Sequence, residues 1–171
     1  TVVNNGITHK FSQLGSSLLN NDTRTYLSSN TIVNPFNIVT EAKVLSLCQK
    51  SNHLQPHTAA VCVYPTFASL ARKALANTAI KVACVAGGFP AGQTSLKVKL
   101  AEIEYAIEQG AQEIDIVISR GKFLEGKYDE VLNEIQSIKT LCKDIILKVI
   151  LETGELQNTE NIYNASMLAI Q

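Results

Sequence analysis

Two charged residues stand inside otherwise aliphatic runs, and both are of types that move protons. In Glu113-Ile114-Asp115-Ile116-Val117-Ile118 a period of two sets Glu113, Asp115 and Val117 on one face and the isoleucines on the other. Both faces of so apolar a strand are buried, and an ionised carboxylate there is costly unless a partner or a water-filled pocket compensates. Asp115 therefore reads either as a proton-transfer carboxylate at the C-terminal half of its strand or as a structural hydrogen-bonder or ion pair. The run Ile145-Ile146-Leu147-Lys148-Val149-Ile150-Leu151 makes the same demand with Lys148, a buried amine among six aliphatic residues. Adjacent parallel strands would set Lys148 near Asp115, as a catalytic pair or a static salt bridge.

Other candidates carry less. The segment Ala86-Gly87-Gly88-Phe89-Pro90-Ala91-Gly92-Gln93-Thr94 leaves a strand and enters a helix, so its glycines could let a ligand approach the backbone. It has neither P-loop nor dinucleotide spacing, and a tight turn with a cap accounts for it. Cys62, near the end of its strand, fits a small core residue better than a nucleophile. His9, His53 and His57 fall in apparent loops, show no metal-ligand pattern and read as solvated.

The elements that must position these residues follow from hydrophobic patterning. Apolar, β-rich runs recur at Ala59–Tyr64, Ile80–Ala86, Glu113–Ile118 and Ile145–Leu151, each followed by a stretch with apolar residues at helical spacing. After the second run, Leu96, Leu100, Ile103 and Ile107 make a stripe that Thr94 can cap and Gly110 can close. After the third run the stripe is Tyr128, Val131, Leu132, Ile135 and Ile138, and an earlier helix is expected from about Ile38 to Lys50. Strands apolar on nearly every position must be covered on both faces, which implies parallel strands with helical crossovers. A barrel and a doubly wound open sheet both satisfy this pattern. Residues 1–30 read as an N-terminal extension, with Ser28-Ser29-Asn30-Thr31 where a first strand would stand.

Composition narrows the classes. The 171 residues contain 46% apolar side chains and balance fifteen basic against fifteen acidic ones, as in a soluble globular α/β protein. No basic stripe argues for nucleic acid, and no apolar run approaches a membrane span. The first residues lack the charged and apolar regions of a secretory signal. Cys48, Cys62, Cys84 and Cys142 sit singly in apolar segments, without the pairing of a zinc or redox motif, and read as reduced thiols of a cytoplasmic protein. The start without Met and the end at Gln171 inside an apparent helix read as boundaries of a fragment.

Four motifs in order, Thr58-Ala59-Ala60-Val61-Cys62-Val63-Tyr64-Pro65, Gly87-Gly88-Phe89-Pro90-Ala91-Gly92-Gln93-Thr94, Gly110-Ala111-Gln112-Glu113-Ile114-Asp115 and Leu147-Lys148-Val149-Ile150-Leu151-Glu152-Thr153-Gly154-Glu155-Leu156, closely resemble the deoxyribose-phosphate aldolases. The resemblance spans about residues 38 to 171, and it favours the (β/α)8 TIM barrel, here truncated after about the fifth βα unit, over the open sheet. It implies residues 31–171 as a partial aldolase domain and retro-aldol cleavage of 2-deoxy-D-ribose 5-phosphate to acetaldehyde and glyceraldehyde 3-phosphate. That chemistry runs through a lysine Schiff base, with no metal or other cofactor, and the sugar phosphate is the partner; a homo-oligomer is compatible with it. On this resemblance Asp115 matches the proton-relay aspartate, Lys148 a site lysine that does not form the Schiff base, and Cys62 a cysteine lining the substrate pocket.

Three departures accompany it. The family's Schiff-base lysine, in a Lys-Thr-Ser-Thr-Gly motif on the sixth strand, its pKa-lowering lysine on the seventh, and the phosphate-binding glycines and serines all fall after Gln171. The first-strand Asp-Leu-Thr motif is replaced by Tyr26-Leu27-Ser28-Ser29-Asn30-Thr31. Residues 1–171 alone are thus expected to be inactive and poorly folded. The competing expectation is a non-catalytic α/β small-molecule-binding module or a partner subunit of a complete aldolase.

Overall fold

The computed structural model describes residues 2–4, 7–9, 39–53 and 58–171. Strands β1 (Val2–Asn4) and β2 (Ile7–His9) pair antiparallel, so His9 ends a strand rather than lying in a loop. The altered first-strand motif, Ile38, His57 and the expected boundary at residues 30 and 31 lie outside the described residues. Helix α1 (Glu41–His53) starts after the expected position and runs three residues past Lys50. His53 is therefore a helix-end residue, with Nδ1 at 2.6 Å from the Gln49 carbonyl oxygen.

Four strands follow, β3 (Ala60–Val63), β4 (Lys81–Ala86), β5 (Glu113–Val117) and β6 (Ile146–Ile150), each within a residue or so of the apolar runs that mark them. All three pairings are parallel, and the spatial order is the sequence order. The crossovers carry α2 (Ala68–Ala74), α3 (Leu96–Glu108), and the pair α4 (Arg120–Leu124) and α5 (Tyr128–Cys142); α6 (Thr159–Ile170) follows β6.

One sheet face carries Val61, Val63, Val82, Cys84, Ala86, Ile114 and Ile116, packed with Val44, Leu47, Ala71, Leu75, Ile103, Ala106 and Ile138 of the flanking segments. The other face packs the small set Ala60, Cys62, Ala83 and Val85 with Tyr64 and Phe89. A doubly wound sheet reverses its strand order and takes helices on both faces. Sequential order with the main helical core on one face is instead the arrangement of a barrel wall, whose second face looks into the barrel.

Local chemistry sets the ends of α3. Ser95, not the expected Thr94, occupies the N-cap, with extended backbone and no side-chain cap bond. Thr94 instead packs in the preceding turn, where a Cβ on Gly88 would come within 2.7 Å of its Cγ2. With φ of +79° as well, only glycine fits at Gly88. The turn is closed by the Gly92 N–H donating to the Gly88 carbonyl at 2.9 Å, and the Gly88 N–H donates to Glu102 Oε2 of α3 at 2.8 Å. The glycine-rich segment is thus a tight turn without the cap. At the helix's far end Gly110 adopts φ of +94° and donates to the Ile107 carbonyl, closing the helix as its sequence suggests.

Strands β3 to β5 are buried along nearly their whole length, whereas β6 is half-exposed. Among the described residues no strand pairs with the outer edge of β6. Tyr128, expected on the buried stripe of α5, is exposed and leans on Phe123 with ring centroids 5.1 Å apart. No described helix is long and apolar enough to cross a membrane.

Candidate active site

The alternation of β5 delivers the arrangement its sequence demands. Ile114 and Ile116 enter the helix-side core, while Glu113 and Asp115 turn to the inner face. Register pairs Asp115 of β5 with Lys148 of β6 and Glu113 with Ile146. Lys148 Nζ lies 3.2 Å from Asp115 Oδ1 and 2.9 Å from Glu113 Oε2. The contact to Asp115 is an ion pair without hydrogen-bond geometry, so this buried oxygen keeps unused accepting capacity. Glu113 also reaches Lys81 of β4, at 3.7 Å, so charges alternate as Lys81, Glu113, Lys148, Asp115 along the inner face.

Burial pushes the Asp115 carboxyl above the usual carboxylate range; the Lys148 ammonium offsets part of that rise, and the charge of Glu113 adds to it. A carboxyl raised in this way accepts and returns a proton more readily near neutral pH than an ordinary aspartate does. Burial works in the opposite sense on Lys148, but it is outweighed by its contacts with the Glu113 and Asp115 carboxylates and by their charges. The ammonium is therefore held above its usual range, which suits an electrostatic partner and disfavours a free-amine nucleophile. Lys148 is also less buried than its aliphatic run suggests, with 36% of its side chain exposed, because no strand covers the far side of β6 among the described residues.

Cys62 completes the cluster from β3, its Sγ 3.9 Å from Asp115 Oδ2. Burial, the Asp115 charge and Cys84 all push its thiol well up, so it is a weak donor at the floor of the site and not a thiolate. Above the cluster, Arg120 after β5 pairs at 2.6 Å with Glu152 after β6, both partly exposed. Glu152 holds φ of +54°, a left-handed conformation uncommon outside glycine. Among the described residues no group of His, Cys, Asp and Glu side chains converges as a metal site would require.

The profile of the DeoC/LacD family aldolases matches residues 19–171, which is most of the chain. The chain belongs to this aldolase family. It is 51% identical over 115 residues to the human deoxyribose-phosphate aldolase, covering 66% of this chain and 36% of that protein. Against the deoxyribose-phosphate aldolase of Caldicellulosiruptor saccharolyticus the identity is 40% over 141 residues, covering 81% of this chain and 59% of the other. The chain therefore spans between about a third and three-fifths of these relatives. Among solved structures, an aldolase designated QR15 superposes with a TM-score of 0.72 at 32% identity, over 82% of this chain and 61% of that one. The deoxyribose phosphate aldolase of Aeropyrum pernix, described as a unique tetramer, gives a TM-score of 0.65 at 25% identity, over 82% of this chain and 57% of that one. The four-stranded parallel wall is thus a segment of the aldolase TIM barrel.

In this family member the sequence-expected residues Asp115, Lys148 and Cys62 meet on one face. Two further sets of charged residues did not stand out from patterning. Glu113 shares that face as the closer ion-pair partner of Lys148, at 2.9 Å. Lys99, Ser119 and Glu134 form a second, buried network on the helix side. Lys99 Nζ donates to Ser119 Oγ at 2.9 Å and to Glu134 Oε1 at 2.6 Å, and Ser119 Oγ donates to Glu134 Oε1 at 2.7 Å. Helical spacing carried the signal, since Lys99 lies three after Leu96 and four before Ile103, and Glu134 three after Val131 and four before Ile138.

All four cysteines are buried, with Cys62 and Cys84 the most strongly shifted; burial and Asp115 push Cys84 up to about 12. Native protein is therefore expected to resist iodoacetamide at pH 8, with these four thiols labelling only after denaturation. Intact mass before and after guanidinium reads this. Rapid native labelling of Cys62 would contradict the buried, protonated thiol.

Proposed function

We propose that the full-length protein containing this chain is a deoxyribose-phosphate aldolase, and that the chain carries the proton-handling part of its site. The observation that carries this reading is the Asp115–Lys148 pair on the inner face of a parallel barrel wall, with Asp115 buried and retaining unused hydrogen-bonding capacity. The substrate is 2-deoxy-D-ribose 5-phosphate, and the covalent step belongs to a lysine outside residues 1–171.

Cleavage breaks the C2–C3 bond of the open-chain sugar held as an iminium at C1. The C3 hydroxyl loses its proton and becomes the aldehyde of glyceraldehyde 3-phosphate, while the bond's electrons pass through C2 to the iminium nitrogen and leave an enamine. A proton then returns to C2, and hydrolysis releases acetaldehyde. Asp115 is the group suited to this traffic through a bound water, because burial raises its carboxyl above the usual carboxylate range and so makes it a better proton acceptor than an ordinary aspartate. Lys148 holds the compensating positive charge, and Cys62 closes the floor beside Asp115.

On this reading residues 1–171 alone do not turn over substrate. The four buried thiols favour a cytoplasmic setting, and the tetrameric relative favours self-association. The test is a coupled assay of the full-length protein for acetaldehyde and glyceraldehyde 3-phosphate. Release of both in equal amounts is expected; no release from 2-deoxyribose 5-phosphate would reject the function.

A further inference from the structure

We propose that Glu113 is a positioning residue of this site, whose buried carboxylate bridges Lys81 and Lys148 and thereby holds the Lys148 ammonium against Asp115. The inference deepens the proposed aldolase reading and rests on it for the meaning of Asp115, but its geometry stands independently. Lys148 has little else to hold it. Its side chain is 36% exposed, and its two anionic contacts are the ion pairs with Glu113 Oε2 at 2.9 Å and Asp115 Oδ1 at 3.2 Å, of which that with Glu113 is the closer. Glu113 is itself fixed, with 9% of its side chain exposed and its other oxygen 3.7 Å from Lys81.

The charged and titratable groups facing Lys148 are Glu113 and Asp115 from β5, Lys81 from β4 through Glu113, and the Cys62 thiol from β3 through Asp115. Of these, only the two carboxylates favour the ammonium by direct contact. Removing the charge of Glu113 leaves Lys148 to the longer, 3.2 Å ion pair with Asp115 and to solvent. The ammonium then spends less time beside Asp115, which loses part of its compensating charge even as the repulsion from Glu113 is relieved.

Glu113→Gln in the full-length protein tests this, because it keeps the side chain's size and removes its charge. Trace acetylation across pH 8 to 11, read peptide by peptide with exposed Lys97 as internal reference, reports the titration of Lys148. The midpoint for Lys148 is expected to fall by about one unit, with kcat lowered about tenfold and KM within about threefold. Glu113→Asp, which withdraws the carboxylate by one methylene but keeps its charge, should give a smaller shift in the same direction, and it serves as the test should the Gln variant fail to fold. An unchanged Lys148 midpoint in a folded variant would overturn the proposal, whatever the activity. A fallen midpoint in a protein that never cleaves the sugar phosphate would support the role of Glu113 and reject the aldolase reading alone.

Discussion

Asp115→Asn in the full-length protein is expected to lower kcat for aldol cleavage by about a hundred- to ten-thousandfold, the usual range for a group that transfers protons in the transition state. Asparagine fills the same volume between Cys62 and Lys148 but cannot accept and return the proton that the C3 hydroxyl loses and C2 regains. Stability should move the other way. Burial raises the folded pKa of Asp115, so its favourable contribution is present below the ordinary carboxylate pKa of about 3.9 and is lost as pH rises through the higher folded value. At neutral pH the ionised carboxylate is therefore a cost, and the asparagine variant is expected to unfold at the same temperature as the parent or higher. Steady-state kinetics with thermal unfolding separates the two effects. Activity within threefold of the parent would remove Asp115 from the mechanism.

Lys99→Ala should produce the largest loss of stability. Lys99 is almost wholly buried and its ammonium is the cation beside Glu134, so truncation leaves a buried carboxylate without its counter-charge. Breaking such a pair on one side costs about 3–5 kcal/mol, a fall in Tm on the order of 10 °C for a domain of this size. The position magnifies the effect. Ser119, which bonds both partners, stands at the N-cap of α4 just after β5, and a Cβ on Gly92 would sit 3.7 Å from Lys99 Nζ, so the network also backs the turn after β4. Replacing both ends, Lys99→Met with Glu134→Leu, should restore most of the loss, since apolar groups of similar volume remove the charge and its partner together. A loss below about 1 kcal/mol in the single variant would mean that the ion pair contributes little to folding.

What the sequence made legible follows from which forces act locally. The four strands were readable because each is a short aliphatic run, and the pairing of Asp115 with Lys148 because period-two alternation and parallel neighbours leave few alternatives. Patterning alone left a barrel and an open sheet equally open; the family resemblance favoured the barrel, and the strand order and the face that the helices cover, properties of the assembled wall, agree with it. The Lys99 network hid because lysine and glutamate on amphipathic helices usually mark the solvent face, even though here their spacing matched the buried stripes. Glu113 went unassigned for a similar reason. Its face followed from alternation, but its ion pair with Lys148 depends on side-chain reach to a residue two positions along from its register partner Ile146. Thr94 had the chemistry of a cap, yet the turn that Gly88 permits turns it inward and leaves the position to Ser95.

On the proposed function, Asp115 and Lys148 handle protons and charge in an aldolase site whose covalent lysine lies elsewhere. Borohydride trapping of the full-length protein with 2-deoxyribose 5-phosphate, followed by peptide mapping, tests it most directly. One stoichiometric reduced adduct on a lysine outside residues 1–171 is expected, with Lys148 unmodified. A stoichiometric adduct on Lys148 would contradict it, because an ammonium held above its usual range by Glu113 and Asp115 should not act as the nucleophile.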